Sequence, residues 1–172
     1  MEPLTFLLAT TLVVSLIGRV WVPSWRPWPV AVRGGVTVMF LATGTSHFVG
    51  MRAELIEMVP PALPAPGALV TLTGVLEIAG ALALFVLPLR HWAAGGLALL
   101  LIAMFPANVH HALTGTDLRW DDTLLPRTVL QLVFLAAVLI VLVAQLHDFR
   151  RDRAVPPALA TPARDPLSVP RG

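Results

Sequence analysis

The stretch from Gly67 to Pro88 is the feature that most constrains how this chain folds. It has the length of a membrane-spanning helix and is apolar throughout, apart from small polar Thr residues and Glu77 near its middle. An α-helix rises about 1.5 Å per residue, so this stretch covers roughly the hydrocarbon thickness of a bilayer. A carboxylate at that depth costs at least about 2.5 kcal/mol, and ionisable groups found there tend to serve a function. Glu77 is therefore the first candidate site residue, and we expect its carboxyl to be neutral or paired.

The neighbours of Glu77 on its own helix face are all small. Residues three and four positions away share a face of a helix, and here they are Thr73, Gly74, Gly80 and Ala81. Small residues let two membrane helices approach closely. This pattern predicts that Glu77 points at another helix and not at lipid. A carboxyl in that position either exchanges protons or only locks two helices together.

The whole chain shares this apolar character. Of its 172 residues 56% are hydrophobic and 13% are charged, which excludes an ordinary soluble domain. The composition predicts an all-α integral membrane protein, a bundle of four to five transmembrane helices with five favoured. The segment from Met51 to Pro66 is too short and too rich in proline to span the membrane. We therefore predict that it is an interfacial loop between the second and third spans. The predicted spans are about 3–20, 32–50, 67–88, 91–113 and 126–146.

The chain divides into two parts at the end of the fifth span. Residues 1–147 form the bundle, and residues 148–172 form a tail rich in Arg and Pro that we expect to be disordered. The N-terminus carries Glu2 and no positive segment, which predicts a retained span and not a cleaved signal peptide.

The basic residues predict the orientation. All of them are Arg, and they fall unequally on the two sides of a five-span bundle. Positively charged loops favour the cytoplasm, which predicts an external N-terminus and a cytoplasmic C-terminus in the plasma (inner) membrane. The richer side holds Arg19, Arg26, Arg33, Arg90, Arg150, Arg151 and Arg153, and the poorer side holds Arg52, Arg119 and Arg127.

The composition also excludes several functions. The Arg residues are spread along the chain, so no nucleic-acid-binding surface is expected. Cys is absent, which removes thiol chemistry and cysteine-held clusters. No HxxxH or ExxH spacing occurs, and we predict no metal site. Two His residues on separate helices could ligate haem b only across a wide gap between correctly aimed rings.

Further polar side chains are predicted in the outer half of the bundle. His47 lies near the end of the second span, and Asn108 and His110 follow Pro106 in the fourth. Since His110 and His111 are consecutive, at most one of them faces the interior. With Arg52 at the mouth, we expect one pocket that contains His47, Asn108 and the deeper Glu77, capped by the Met51 to Pro66 loop.

Each of these residues also has a structural interpretation. His47 would hydrogen-bond headgroups or loop backbone, and Arg52 would extend toward headgroups. Asn108 would satisfy backbone groups freed by the proline.

The chain resembles the DoxX family of small bacterial membrane proteins. The resemblance lies in the motifs G-x-x-HF within MFLATGTSHFVGMR (Met39 to Arg52), VP-x-x-LP-x-P and TG-x-x-E between Met58 and Leu84, and PAN within LLLIAMFPANVHHAL (Leu99 to Leu113). It covers about residues 33 to 145. It implies a four-helix membrane bundle, in which 3–20 is either an extra leading span or the first span of the match. It also implies His47, Glu77 and Asn108 as signature positions, and a link to quinone-dependent oxidases or oxidative-stress complexes.

Three functions are open at this point. The first is a subunit of a quinone-linked membrane redox complex, in which Glu77 exchanges protons with a bound quinone. The second is a small-solute or proton-coupled transporter, and the third is a non-catalytic scaffolding subunit. The expected partners are the lipid bilayer and either redox subunits or further copies of the chain. The residues leave it open whether the protein is an enzyme.

Overall fold

The described part of the chain folds into six α-helices. The computed structural model describes residues 2–116 and 118–154, with side chains up to residue 151. This described part contains no strand, which confirms the predicted all-α class. The helices are α1 (Glu2–Val20), α2 (Trp28–Ser46), α3 (Arg52–Met58), α4 (Pro66–Ala83), α5 (Arg90–Thr114) and α6 (Leu124–Ala154), and short 3-10 turns lie at Pro23–Trp25, Leu87–Leu89 and Trp120–Asp122.

Four of these helices are long and apolar enough to cross a membrane. They are α1, α4, α5 with the turn before it, and α6. Large apolar side chains cover their outer faces, as Leu8 at 58%, Leu99 at 69% and Leu132 at 60% exposure illustrate. Such surfaces suit lipid and not water. The predicted membrane-protein fold, a helix bundle, is therefore confirmed.

The central helix is α2, which is less apolar than the other four long helices. It packs against α1, α4 and α6, and it contributes Val36 and Phe40 to the most deeply buried part of the core. Gly35 brings α1 close, because a Cβ at this position would lie only 2.5 Å from the backbone oxygen of Leu7. Helix α2 is thus surrounded by three other helices, which bury Thr37, while Thr45 near its end stays exposed.

The long helices run antiparallel to their neighbours in sequence. Across α5 and α6, the Gln131 side chain donates to the Leu101 carbonyl oxygen at 2.7 Å, while Asn108 pairs with Arg127 one turn earlier on α6. The bundle therefore has two ends. We call the one where α2 and α5 end and α4 and α6 begin the His47 end, and the opposite one the Arg90 end.

The observed bounds of the second and third predicted spans differ from the predicted ones by several residues. The second helix spans 28–46 and not 32–50, because Pro29 is tolerated in the first turn and Gly50, with φ of 84°, lies in the left-handed region after the helix. The third ends at Ala83 and not at residue 88, since the Pro88 ring would clash with the preceding turn.

The predicted start of the tail, residue 148, lies inside α6 in the structure. Helix α6 continues to Ala154. Arg is a good helix former, and the first proline after the apolar stretch is Pro156, so nothing in 148–154 breaks the helix. The rest of the predicted disordered tail, 155–172, lies outside the described residues.

Candidate functional site

The centre of the candidate site is Glu77, in the middle of α4. Its side chain is 2% exposed and faces α2. The Thr43 hydroxyl oxygen lies 2.6 Å from Oε2 of Glu77, and it donates a hydrogen bond when the carboxyl is ionised. The same hydroxyl can accept from a protonated carboxyl. Thr43 can thus stabilise either protonation state.

Small residues make this contact between α2 and α4 possible. A Cβ on Gly44 would lie 3.1 Å from both the Glu77 Cβ and the Gly74 carbonyl oxygen. A Cβ on Gly74 would lie 2.6 Å from the Cβ of His47, closer than real atoms of this kind approach. The glycines therefore bring the two helices close enough for Thr43 to reach Glu77, as the small residues beside Glu77 predict.

His47 lies one turn from Thr43, toward the His47 end of the bundle. It caps α2 and is 4% exposed. Its Nδ1 lies 2.9 Å from the Thr43 carbonyl oxygen. Because a carbonyl only accepts, Nδ1 carries the hydrogen, and Nε2 is the acceptor of the neutral ring. Thr43 thus contacts Glu77 through its hydroxyl and His47 through its carbonyl.

Arg52, the first residue of α3, ties the ends of α2 and α4 together. One terminal nitrogen donates to the His47 carbonyl oxygen at 3.1 Å. The other donates to the Gly67 carbonyl oxygen at 3.2 Å and to the Thr71 hydroxyl at 3.0 Å. These bonds satisfy an end carbonyl of α2 and fix the entry into α4. Ligand binding by Arg52 stays a prediction. We name Thr43, His47, Arg52, Thr71 and Glu77 the α2–α4 cluster.

Asn108 belongs to a second group of polar residues. Its Oδ1 accepts a hydrogen bond from Arg127 at 2.8 Å, and Arg127 also pairs with Asp122 at 2.8 Å. We name these three the α5–α6 cluster. Among the described residues, no hydrogen bond joins Asn108 to Glu77 or His47. The hydrogen bonds therefore place the predicted pocket residues in two groups, because Arg127 of α6 donates to the Asn108 oxygen, and a single shared pocket stays a prediction.

The two histidines of α5 lie near the α5–α6 cluster. His110 is partly buried, and its Nδ1 has no hydrogen-bond partner within the described part of the chain. His111 lies in electrostatic range of Arg127, Asp122 and Glu54 of α3. The His47 end therefore holds polar groups from α3, α5 and α6 besides those of the α2–α4 cluster.

The predicted cap over this end is only partly correct. Met58 of α3 is 9% exposed, so this short helix packs onto the bundle. Leu63, in the following turn, is 48% exposed, although we expected it to pack over the opening. Four prolines between residues 60 and 66 prevent a regular helix, and the segment forms a turn at the surface, closed by the Leu63 N–H bond to the Pro60 carbonyl oxygen.

An apolar groove of about 520 Å³ lies between α4 and α5. Leu76 and Gly80, which flank Glu77 along α4, line it together with Leu97 and Leu100 of α5. The carboxyl itself faces α2, on the neighbouring side of α4. Within the described residues, no group of three or more His, Asp or Glu residues could hold a metal ion.

Three contributors to these contacts were not predicted from the sequence. Thr43 was not among the predicted site residues, although its hydroxyl lies one helical turn from His47 in the sequence and could have suggested its role. Gln131 and Arg127 lie one turn apart on α6, so their polar spacing could have indicated the face of α6 that meets α5. Their partners depend on how the two helices align, which a single sequence does not reveal.

A bundle of apolar helices with polar clusters at its helix contacts defines an all-α membrane protein. Residues 36–147 match the family described as Domain of unknown function (DUF8561), and the chain belongs to this family. No curated protein and no solved structure matches the chain.

Proposed function

We propose that the chain is a multi-pass protein of a bacterial plasma membrane, with α1, α2, α4, α5 and α6 as five spans. The Arg90 end would face the cytoplasm, because it carries most of the Arg residues. Exposed Trp side chains at this end support an interfacial position. They are Trp21, Trp25, Trp28 and Trp92, all at least 41% exposed.

The proposed activity is proton exchange by Glu77 within a quinone-linked redox complex, of which this chain is one subunit. The observation that carries the proposal is a carboxyl on a membrane-spanning helix that is 2% exposed and held by a single hydroxyl. The apolar groove beside it, along Leu76 and Gly80, has the character that an isoprenoid tail requires. The resemblance to the DoxX family supports the same reaction class.

In this proposal the reduction of a quinone takes two electrons from a partner subunit and two protons. Glu77 gives one proton to the reduced quinone oxygen, and the Thr43 hydroxyl then donates to the carboxylate that is left. His47, one turn nearer the surface, would pass a proton inward to restore the carboxyl, and Glu77 would then give the second proton to the other quinone oxygen. The cluster thus supplies a donor, a stabiliser of the charged form and a relay.

The test begins with the full-length protein in lipid nanodiscs that contain a quinone. We expect quinone to co-purify, and an infrared difference spectrum between the oxidised and reduced states to contain a carboxyl band. Glu77→Gln should remove this band, and Glu57→Gln, an exposed carboxyl of α3, should keep it. If the protein neither co-purifies with quinone nor binds it on titration, the redox proposal fails.

A scaffolding function is the second candidate, and the contacts of Arg52 favour it. Its three hydrogen bonds and the close approach of Gly44 to Gly74 are contacts that hold α2 and α4 together. Under this alternative Glu77 only locks α4 to α2. Glu77→Gln would then lower the stability of the bundle without any effect on a quinone or proton signal.

A further inference from the structure

Two arginines lie close together at the Arg90 end, far from Glu77. Arg33 is in the second turn of α2, Arg90 begins α5, and the two are within electrostatic range of each other. The Nε atom of each is buried and has no hydrogen-bond partner in the part of the chain that the structure describes. Buried donors in folded proteins are nearly always satisfied. The pair therefore has donor groups that an acceptor from outside these residues can satisfy.

The charges around the pair leave a net positive site. Asp148 of α6 is in electrostatic range of Arg33, but within the described residues neither arginine has a carboxylate oxygen within 4.0 Å. Two guanidinium groups thus face one exposed carboxylate. The α5 helix begins at Arg90, so the positive end of its dipole adds to the field.

The side chains around the two arginines hold them in place. The Arg33 guanidinium lies 5.8 Å from the centre of the Phe85 ring, within the range of a cation–π contact. A recess of about 50 Å³ lies beside Arg90. Gln145, which is 7% exposed, lines it and contributes a neutral polar amide. The recess is lined by Leu87, Arg90, His91, Gln145, Asp148 and Phe149.

The apolar groove between α4 and α5 extends toward this end of the bundle. Ala83, the last residue of α4, and Ala93, in the first turn of α5, both line it. The turn that joins these two helices leads directly into Arg90. A molecule with an anionic head and an apolar chain matches both features, since its head would meet the arginines while its chain follows the groove.

We propose that Arg33 and Arg90 bind the phosphate group of an anionic phospholipid, with an acyl chain in the part of the α4–α5 groove that Ala83 and Ala93 line, beyond the part along Leu76 and Gly80. The planar guanidinium presents several N–H donors in a geometry that suits phosphate oxygens. Basic pockets between helices on the cytoplasmic side of a membrane bind acidic headgroups by this chemistry. Free phosphate shares the same acceptor group, and the experiment separates the two sources.

The experiment measures lipid retained by the full-length protein. The protein is placed in nanodiscs of phosphatidylcholine with phosphatidylglycerol, extracted gently in detergent, and its bound lipids are quantified by mass spectrometry. We expect enrichment of phosphatidylglycerol that falls about tenfold in Arg33→Gln and in Arg90→Gln, since each removes a charged hydrogen bond. The matched control is Arg151→Gln, an exposed position on α6 at the same end with the same loss of charge.

Two further arms make the result decisive. Arg90→Lys keeps the charge but lacks the guanidinium fork, so partial retention of enrichment in a well-folded variant supports recognition by the fork. If inorganic phosphate binds at the same two arginines and no lipid is enriched, the proposal that the bound phosphate belongs to a phospholipid is overturned. Equal retention of both lipids, or an equal loss in Arg151→Gln, would overturn the site.

Discussion

Thr43→Val removes the only hydrogen-bond partner that the described residues give to the Glu77 carboxyl. Val has nearly the shape of Thr, so the change deletes the hydroxyl and little else. The bond of 2.6 Å joins Glu77, 2% exposed, to another helix. Leaving such an acceptor unpaired costs about 1–3 kcal/mol. We therefore expect the free energy of unfolding to fall by about that amount.

The control for this variant is Thr45→Val on the same helix. The Thr45 hydroxyl is exposed and donates at 2.6 Å to the Leu41 carbonyl oxygen of its own helix. Surface changes of this kind usually alter stability by less than about 0.5 kcal/mol. The difference between the two variants then reports the contact between helices and not the loss of a hydroxyl from α2.

A double-mutant cycle isolates the pair itself. In a Glu77→Leu background there is no carboxyl to leave unpaired, and Thr43→Val should cost much less there than in the unmodified chain. The assay is unfolding of the purified protein by dodecyl sulfate in mixed micelles, followed by circular dichroism. If Thr43→Val costs the same in both backgrounds, or no more than Thr45→Val, the proposed contact does not stabilise the bundle.

Three further outcomes follow from the packing and the polar clusters. In the same unfolding assay the Gly74→Ala variant should be about 1–3 kcal/mol less stable than the Gly95→Ala variant. Both variants gain helix propensity, but only Gly74 faces a close neighbour, so equal stabilities would refute the close contact. Arg52→Lys should lower the free energy of unfolding by about 1–2 kcal/mol, because one ammonium cannot reach three acceptors on two helices. The control Arg119→Lys, at a side chain that is 80% exposed, should leave the stability unchanged. Asn108→Leu should lower the free energy of unfolding by about 1–3 kcal/mol, whereas Asn108→Asp, which keeps an acceptor oxygen for Arg127, should not. Similar losses in both variants would mean that the hydrogen bond to this oxygen does not stabilise the bundle.

The helical bundle was predictable because apolar length is a local property of the sequence. The ends of α1 and α5 differ by only one residue from the predicted bounds. The predicted helix bounds differed from the observed ones where a residue type occurs both in helices and in loops or tails. The predicted second span began after Pro29, although proline is well suited to a first helical turn. The Arg residues after Asp148 were assigned to the tail, although they continue α6.

The candidate site was predictable only within one helix at a time. The small neighbours of Glu77 correctly predicted a helix contact, because they lie on the face of α4 that carries the carboxyl. The grouping of Asn108 with His47 was not supported by any hydrogen bond, since it required knowledge of which helices are adjacent. Arg127 decides the position of the Asn108 side chain, and only the alignment of α5 with α6 brings them together.

The central position of α2 has a consequence for biogenesis. This helix carries Arg33 and several hydroxyl residues and is the least apolar of the long helices, so lipid alone is a poor environment for it. During synthesis it emerges before α4 and α6, and α1 is then its only partner. Under the proposed five-span topology, the contact of Gly35 with α1 is the first helix packing available to α2 in the membrane, and the hairpin of α1 and α2 is the surface on which the later helices assemble.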